Sequence, residues 1–174
     1  SPEDLVGMKM RVPGGAANSA RYQVLGASSV SIPFKEVAQA LQRGTVDGML
    51  STHESVRESK FWDAGVKYAY DDYQAFYQYV PMMSSKAWNG LPADIQQIVL
   101  DAWDANIDAG RKIAAARQKS AVEEERENGI EVIVGSAEDL AKMRAKLMQE
   151  QDRLVTELRI DPALVEKAKT ALGL

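Results

Sequence analysis

The sequence predicts an α/β fold with parallel strands, and three observations carry that prediction. Residues 1–50 alternate strand-like and helix-like patterns in the order strand, helix, strand, helix, strand. Glycine closes each of the two helical patterns, at Gly26 and Gly44. Further along, apolar residues recur at helical spacing between Pro92 and Asn128. These patterns indicate a parallel-rich sheet flanked by helices, with one helix much longer than the others.

The first strand is predicted by the sequence MKMRV at 8–12, in which apolar and basic side chains alternate with the period of two of a half-buried strand. Pro13 ends the strand, and Gly14 with its glycine neighbour opens a tight turn before a helix over 16–26. Arg11 therefore stands at the end of the strand, where the chain turns.

The next elements continue the alternation of strands and helices. A second strand is predicted over 28–34, a helix over 35–44 and a third strand over 45–51. A new helix is predicted to begin at Ser51, which lies three residues before Glu54, the spacing of a capping box.

The second half of the chain is predicted to contain mainly helices. Residues 67–83 are rich in tyrosine and predict one or two strands. The helix over 92–128 has about 36 residues and spans roughly 54 Å, longer than a small domain is wide, so it bridges two bodies or projects from one. The remaining elements are predicted to be a strand over 130–134, a second long helix over 136–159 and a last helix over 161–174.

Composition excludes several classes of function. Cysteine is absent, which excludes disulfides, thiolate catalysis and the usual structural zinc sites. The net charge is −4 with acidic and basic residues mixed, whereas a nucleic-acid partner needs a clustered positive surface. No apolar run approaches the roughly 20 residues of a membrane-spanning helix.

Catalytic and metal sites find little support. His53 is the only histidine, and an enzyme that uses it as a general base is one alternative, although no spacing around it supplies a nucleophile. We interpret Asp71 and Asp72 as turn or surface residues, with a role in a pocket as the alternative, and the acidic run at 123–127 as a solvated helix face. The prediction is therefore no enzyme, no metal and no cofactor.

A binding geometry is better supported. In an open α/β sheet, ligands bind beyond the carboxyl ends of the strands. Arg11, Phe34 and the stretch 49–53 follow the three predicted strands. Arginine presents a planar fork of donors that matches a carboxylate, and the following helices would add backbone N–H groups. The residues alone leave two readings open, an anion site or a solvated edge arginine.

Residues 4–50, DLVGMKMRVPGGAANSARYQVLGASSVSIPFKEVAQALQRGTVDGML, resemble the substrate-binding proteins of tripartite ATP-independent periplasmic (TRAP) transporters, the DctP-like family. The resemblance continues through KFWDAGVKY, SSKAW and LPADIQQIVLDA and covers nearly the whole chain. It implies a lobe like that of the type II periplasmic binding proteins. It also implies a periplasmic receptor for a small organic carboxylate that serves the TRAP membrane permease.

The resemblance also assigns roles to residues. The arginine of the family's R-x-P motif, which pairs with the substrate carboxylate, falls on Arg11, and the pocket-lining phenylalanine falls on Phe34. The stretch MLSTHES then sets the ligand choice of this subfamily, and it supplies four candidate ligand contacts. These are Met49, Ser51, Thr52 and His53.

Two departures from the family pattern reduce the range of expected ligand classes. Leu50 and Ser51 stand where many members carry a glutamate followed by asparagine or tryptophan. Gly14, a further candidate contact, stands where some sialic-acid binders have a polar residue. These departures argue against a sialic-acid-like ligand and against metal-assisted binding of a keto acid.

The family's usual length implies a domain arrangement. The chain corresponds to the carboxyl-terminal half of a two-lobe receptor, with 3–76 and 117–174 in the second lobe and 77–116 crossing into the first. Without that first lobe, Trp88 and Trp103 would be exposed, so we expect another copy of the chain or crystal contacts to cover them. The alternative is a ligand-sensing or protein-interaction α/β module without a transport role.

Overall fold

A three-stranded parallel sheet organises the first part of the protein. The computed structural model describes residues 1–75 and 77–173. The sheet order is β2-β1-β3. Its strands are β1 (Lys9–Val12), β2 (Ser28–Ser31) and β3 (Gly48–Met49). Arg11 lies in the central strand, opposite Val30 on one side and Met49 on the other. It is the penultimate residue of β1, as in the strand predicted over 8–12.

Two helices make the crossovers between these strands, as the alternating pattern predicts. Helix α1 (Ala16–Val24) joins β1 to β2, and α2 (Val37–Gln42) follows a 3-10 turn at Phe34–Glu36. The third strand is shorter than the predicted 45–51, although the N–H of Leu50 continues the hydrogen bonding by donating to the Arg11 carbonyl at 2.9 Å. The parallel α/β fold predicted from the sequence is confirmed.

Two clusters of buried apolar side chains hold this unit together. Burial of each large apolar side chain contributes roughly 1.5–3 kcal/mol. One cluster packs β1 against α1 and consists of Met10, Val12, Tyr22, Ala27 and Leu50. The other consists of Val37, Val56, Phe61, Ala64 and Ile130, and it joins residues from both halves of the chain.

A second, two-stranded parallel sheet contains β4 (Tyr68–Asp71) and β5 (Glu131–Val134). Helix α3 (His53–Glu58) lies between β3 and β4 in the chain, and α4 (Ser85–Asn89) follows β4. Of the one or two strands predicted over 67–83, the structure has β4. Residues 72–75 and 77–83 form no strand, and Phe76 lies outside the described residues.

The long helix α5 (Ala93–Glu127) confirms the prediction for this region. It has 35 residues and is about 53 Å long. Between Ala93 and Arg117, every residue except Gln96 and Ile107 is exposed. Within the part of the chain that the structure describes, no helix combines the length and the apolar character needed to cross a membrane.

The single helix predicted over 136–159 is wrong. The structure has two helices there, α6 (Ala137–Met148) and α7 (Gln151–Glu157), followed by α8 (Pro162–Leu172). The N–H of Glu150 donates to the Leu147 carbonyl three residues earlier, so the chain tightens into a 3-10-type turn that interrupts the helix.

Candidate functional site

The site is built around the side chain of Arg11, of which only 4% is exposed. Its Nε donates to the Ile32 carbonyl at 2.9 Å, and its Nη1 donates to the Leu50 carbonyl at 3.4 Å. The Ile32 carbonyl follows β2 and the Leu50 carbonyl follows β3, so the ends of both flanking strands supply acceptors for the guanidinium. Burial lowers the pKa of Arg11 by desolvation, but an arginine remains charged at any physiological pH.

This buried cation has no internal counter-ion among residues 1–75 and 77–173. The arginines that pair with carboxylates there are Arg21, Arg57, Arg111, Arg117 and Arg153. A guanidinium has five N–H donors and Arg11 uses two of them on carbonyls, which leaves three. The strand ends therefore present a fixed positive charge that can pair with an anion.

Phe34 forms an apolar wall beside the guanidinium. The Arg11 Cζ lies 5.8 Å from the centroid of the Phe34 ring. The same ring also contacts Phe61 in an edge-on arrangement, with centroids 5.7 Å apart and planes at 78°. Phe61 is buried, whereas Phe34 is 46% exposed. The structure thus brings together two of the residues that the sequence predicts for the site.

Gly14 shapes the turn that follows β1. Its φ is +114°, a backbone conformation that residues with a Cβ rarely adopt. Its carbonyl accepts a hydrogen bond from Asn18 Nδ2 at 2.8 Å, which fixes the turn to α1. The structure therefore gives Gly14 a conformational reason to be glycine, and its contact with a ligand stays a prediction.

The stretch from Met49 to Thr52 runs from the sheet into α3. Met49 packs against the second apolar cluster. The capping box predicted at Ser51 is wrong, because the N-cap is Thr52, whose Oγ1 accepts a hydrogen bond from the Ser55 N–H at 3.3 Å. Ser51 is half-buried between Leu50 and this cap. The ligand contacts assigned to Met49, Ser51 and Thr52 remain predictions.

His53, the first residue of α3, is held between two carboxylates. Its Nδ1 lies 2.8 Å from Glu125 Oε2, and its Nε2 lies 2.6 Å from Asp71 Oδ1. The hydrogen bond to Glu125 is the largest cause of a raised His53 pKa, and burial opposes it. Both ring nitrogens can donate at once only as an imidazolium. Neither nitrogen is free to serve as a general base, so the enzyme alternative loses its candidate.

Two interpretations of acidic residues need correction here. Glu125 is fully buried, although the sequence predicts a solvated helix face over 123–127. Asp71 and Asp72 are only partly exposed and both are paired, Asp71 with His53 and Asp72 with Arg21. Among the described residues, no group of three or more His, Asp or Glu side chains is arranged to hold a metal ion.

Sequence reasoning did not find three features of this site. They are Glu125 and the carbonyls of Ile32 and Leu50. Glu125 is 72 residues from His53, and nothing in its local pattern distinguishes it from its acidic neighbours. Backbone carbonyls carry no signal in residue type at all.

The fold and the site define a class of protein. It is an α/β lobe whose parallel strands end at a buried arginine that has no carboxylate partner in the described part of the chain. The chain belongs to the bacterial extracellular solute-binding protein family 7, the DctP family, whose model matches residues 1–157. The resemblance stated from the sequence is confirmed.

Individual relatives agree with this assignment. The C4-dicarboxylate-binding periplasmic protein DctP of Rhodobacter capsulatus is 28% identical over 171 residues, which are 98% of this chain and 51% of the relative. A TRAP periplasmic solute-binding protein from Shewanella oneidensis with bound succinate superposes with a TM-score of 0.88 at 23% identity, covering 98% of this chain and 55% of that one.

A second solved structure shows the same fold. The TRAP periplasmic solute-binding protein from Sulfitobacter sp. NAS-14.1 with bound β-D-galacturonate has a TM-score of 0.81 at 21% identity, covering 97% of this chain and 54% of that one. The chain spans about half the length of the curated relatives it matches.

Proposed function

We propose that this chain is the ligand-gripping lobe of a periplasmic solute receptor of a TRAP-type transporter. The receptor binds a small organic carboxylate between two lobes and delivers it to the membrane permease. Arg11 pairs with the ligand carboxylate. One observation carries the proposal, the buried Arg11 guanidinium without a carboxylate partner in the described part of the chain.

The physical argument starts from the cost of a buried charge. Removal of a guanidinium from water costs several kcal/mol unless an opposite charge and further hydrogen bonds compensate it. The carbonyls of Ile32 and Leu50 orient Arg11 but carry no negative charge. A carboxylate ligand supplies that charge and accepts two parallel hydrogen bonds from the fork. The site is therefore preorganised for an anion.

The neighbouring charges favour the same ligand class. Asp71 and Asp72 are both paired with cations of the chain, so they do not compete for Arg11. The named ligands of the relatives include C4-dicarboxylates, succinate and β-D-galacturonate, all of which carry a carboxylate. We propose that Phe34 packs on the carbon skeleton of the ligand, with Gly14, Met49, Ser51 and Thr52 along the same edge.

The lobe arrangement is part of the proposal. Residues 3–76 and 117–174 form the second lobe, and 77–116 cross into a first lobe. Two observations support the boundary at 117. Arg117 on α5 pairs with Glu54 and Glu58 of α3, and the residues before it on α5 are nearly all exposed. The two-lobe receptor closes over its ligand by a hinge motion.

Native mass spectrometry followed by calorimetry tests the function. Mass spectrometry of the protein purified from its source identifies a co-purifying ligand, which is then titrated into wild type, Arg11→Lys and Arg43→Lys. We expect Arg11→Lys to bind at least tenfold more weakly, because an ammonium cannot form the bidentate fork. Arg43, exposed and ahead of β3, should tolerate the change. Unchanged affinity of Arg11→Lys would overturn the assigned role.

A further inference from the structure

His53 joins three elements next to the site. It is the first residue of α3, it contacts Asp71 at the end of β4, and it contacts Glu125 on α5. Only Ser51 and Thr52 separate it from Leu50, whose carbonyl holds Arg11. The link therefore runs from α5 through His53 to the guanidinium.

We propose that His53 is a positioning residue for Arg11, which acts by fixing the short Ser51–Thr52 segment and so the Leu50 carbonyl that orients the guanidinium. The inference rests on the proposed function only in that Arg11 is the group that pairs with the ligand. It assigns His53 a role behind the site and not a contact with the ligand.

The first step is mechanical. Leu50 is tied to β1 at both polar groups, since its N–H donates to the Arg11 carbonyl and its carbonyl accepts from Arg11 Nη1. Thr52 is extended, with φ −123° and ψ 155°. A chain advances at most about 3.6 Å per residue, so the three steps from Leu50 to His53 span at most about 11 Å, and a link this short transmits a displacement. A shift of His53 therefore reaches the Leu50 carbonyl.

The second step is electrostatic. The groups that face the imidazole are Asp71 from β4 and Glu125 from α5. Glu125 is fully buried, and its Oε1 has no partner among the described residues, so its charge is compensated mainly through His53. A neutral imidazole can donate to only one of the two carboxylates. Loss of the second proton would therefore release one of the two anchors of His53.

The rest of α3 contacts α5 through residues other than His53. An effect of His53 on Arg11 can therefore be distinguished from a loss of overall stability. Arg57 donates to Ser120 at 3.0 Å, and Arg117 pairs with Glu58 at 2.7 Å. The Glu54 N–H donates to Gln118 Oε1 at 3.2 Å. Because these contacts keep α3 on α5, a change at His53 frees the first residue of α3 and the segment before it.

Nitrogen NMR tests the proposal without any ligand. His53 is the only histidine of the chain, so its imidazole signals need no assignment by mutation. We expect both ring nitrogens to carry protons at pH 7. In His53→Gln, hydrogen exchange at the Arg11 Nη1–H should accelerate at least tenfold, because the Leu50 carbonyl that accepts from it loses its fixed position. Arg117→Gln, which removes another α3–α5 contact, should leave that exchange rate unchanged.

A pH titration provides a second, independent measurement. In wild type, the Arg11 Nη1 chemical shift should follow the titration of His53, and in His53→Gln that dependence should vanish. Should His53→Gln fail to fold, the wild-type titration still decides. The proposal would be overturned if only one ring nitrogen of His53 carried a proton at pH 7. It would also be overturned if the Arg11 signals were the same in wild type and His53→Gln and did not change with pH. Failure of Arg11 to bind any carboxylate would instead overturn the proposed function and leave these signals as predicted.

Discussion

The guanidinium carbon of Arg11 lies 5.8 Å from the centre of the Phe34 ring. The two residues come from neighbouring strands, Arg11 from within β1 and Phe34 from just after β2. A cation at this distance from an aromatic face gains about 0.5–2 kcal/mol, depending on its exposure to water. The same ring rests edge-on against Phe61. The Phe34 ring that lines the site is therefore supported by Phe61, a buried residue of the core.

This arrangement predicts that Phe34 contributes less to the stability of the fold than Phe61 does. Phe34→Ala should lower the free energy of unfolding by roughly the value of an aromatic pair, about 0.5–1.5 kcal/mol. Phe61→Ala should cost about 3–5 kcal/mol, because Phe61 is 1% exposed and its loss leaves a cavity. Urea denaturation measures both, and equal losses would contradict the assignment of Phe34 to the site and Phe61 to the core.

Gly14 and Gly110 form a matched pair for backbone strain. Gly14→Ala should destabilise the protein by about 1–3 kcal/mol, because a Cβ is disfavoured at φ +114°. Gly110→Ala should stabilise it by about 0.5–1 kcal/mol, since the position lies within α5 and an added Cβ has no neighbour within 4 Å among the described residues. Chemical denaturation gives both values. A neutral effect of Gly14→Ala would show that the turn adapts.

The stability of the protein should depend on pH through His53. Its pKa is raised in the folded state, chiefly by the hydrogen bond to Glu125. A raised pKa means that this contribution is complete below the unfolded value of about 6.5 and is lost as the pH rises through the folded value. The melting temperature should therefore fall as the pH rises across that window, and the fall should be smaller in His53→Gln.

The control for this pH dependence is Glu127→Gln. Glu127 is exposed at the end of α5, near Glu125 in sequence but outside the His53 cluster. It should reproduce the wild-type profile. An identical profile in His53→Gln would assign the pH dependence to other groups.

When residues 1–174 are expressed without a first lobe, the exposed apolar side of α5 predicts association between copies of the chain. Val99, Trp103 and Ile107 line a groove of about 400 Å³ on the described surface. Apolar surface of this kind is rarely left in contact with water. Light scattering should therefore detect a dimer or larger species, and Val99→Glu should shift the protein towards the monomer. Ala115→Glu, which adds the same charge on the opposite side of the helix, should not. A wild-type monomer would contradict the prediction.

Local patterns in the sequence predicted much of the fold. The alternation over 8–12 located β1 and placed Arg11 next to the last residue of the strand, where the structure has it. The helical spacing after Pro92 located α5 to within a residue at each end. These predictions succeeded because periodicity, proline and glycine act on neighbouring residues, whose geometry the backbone alone constrains.

Predictions failed where the outcome depended on a competition. Ser51 and Thr52 both have a hydroxyl suited to cap a helix, and the structure uses Thr52. Similar helix-forming residues run through 136–159, yet the turn at Glu150 divides them. In each case the residue types suit both alternatives, so the pattern along the chain does not distinguish them.

By itself, the sequence determined that an arginine stands where a parallel strand ends, because strand periodicity and the proline and glycines after Arg11 are local. Only the tertiary structure decided which charges are paired. It joins His53 to Glu125, 72 residues away, and Asp72 to Arg21, and it leaves Arg11 without a carboxylate among the described residues. The physical reason is that charge pairing depends on separation in space and on burial, neither of which can be read from neighbouring residues along the chain.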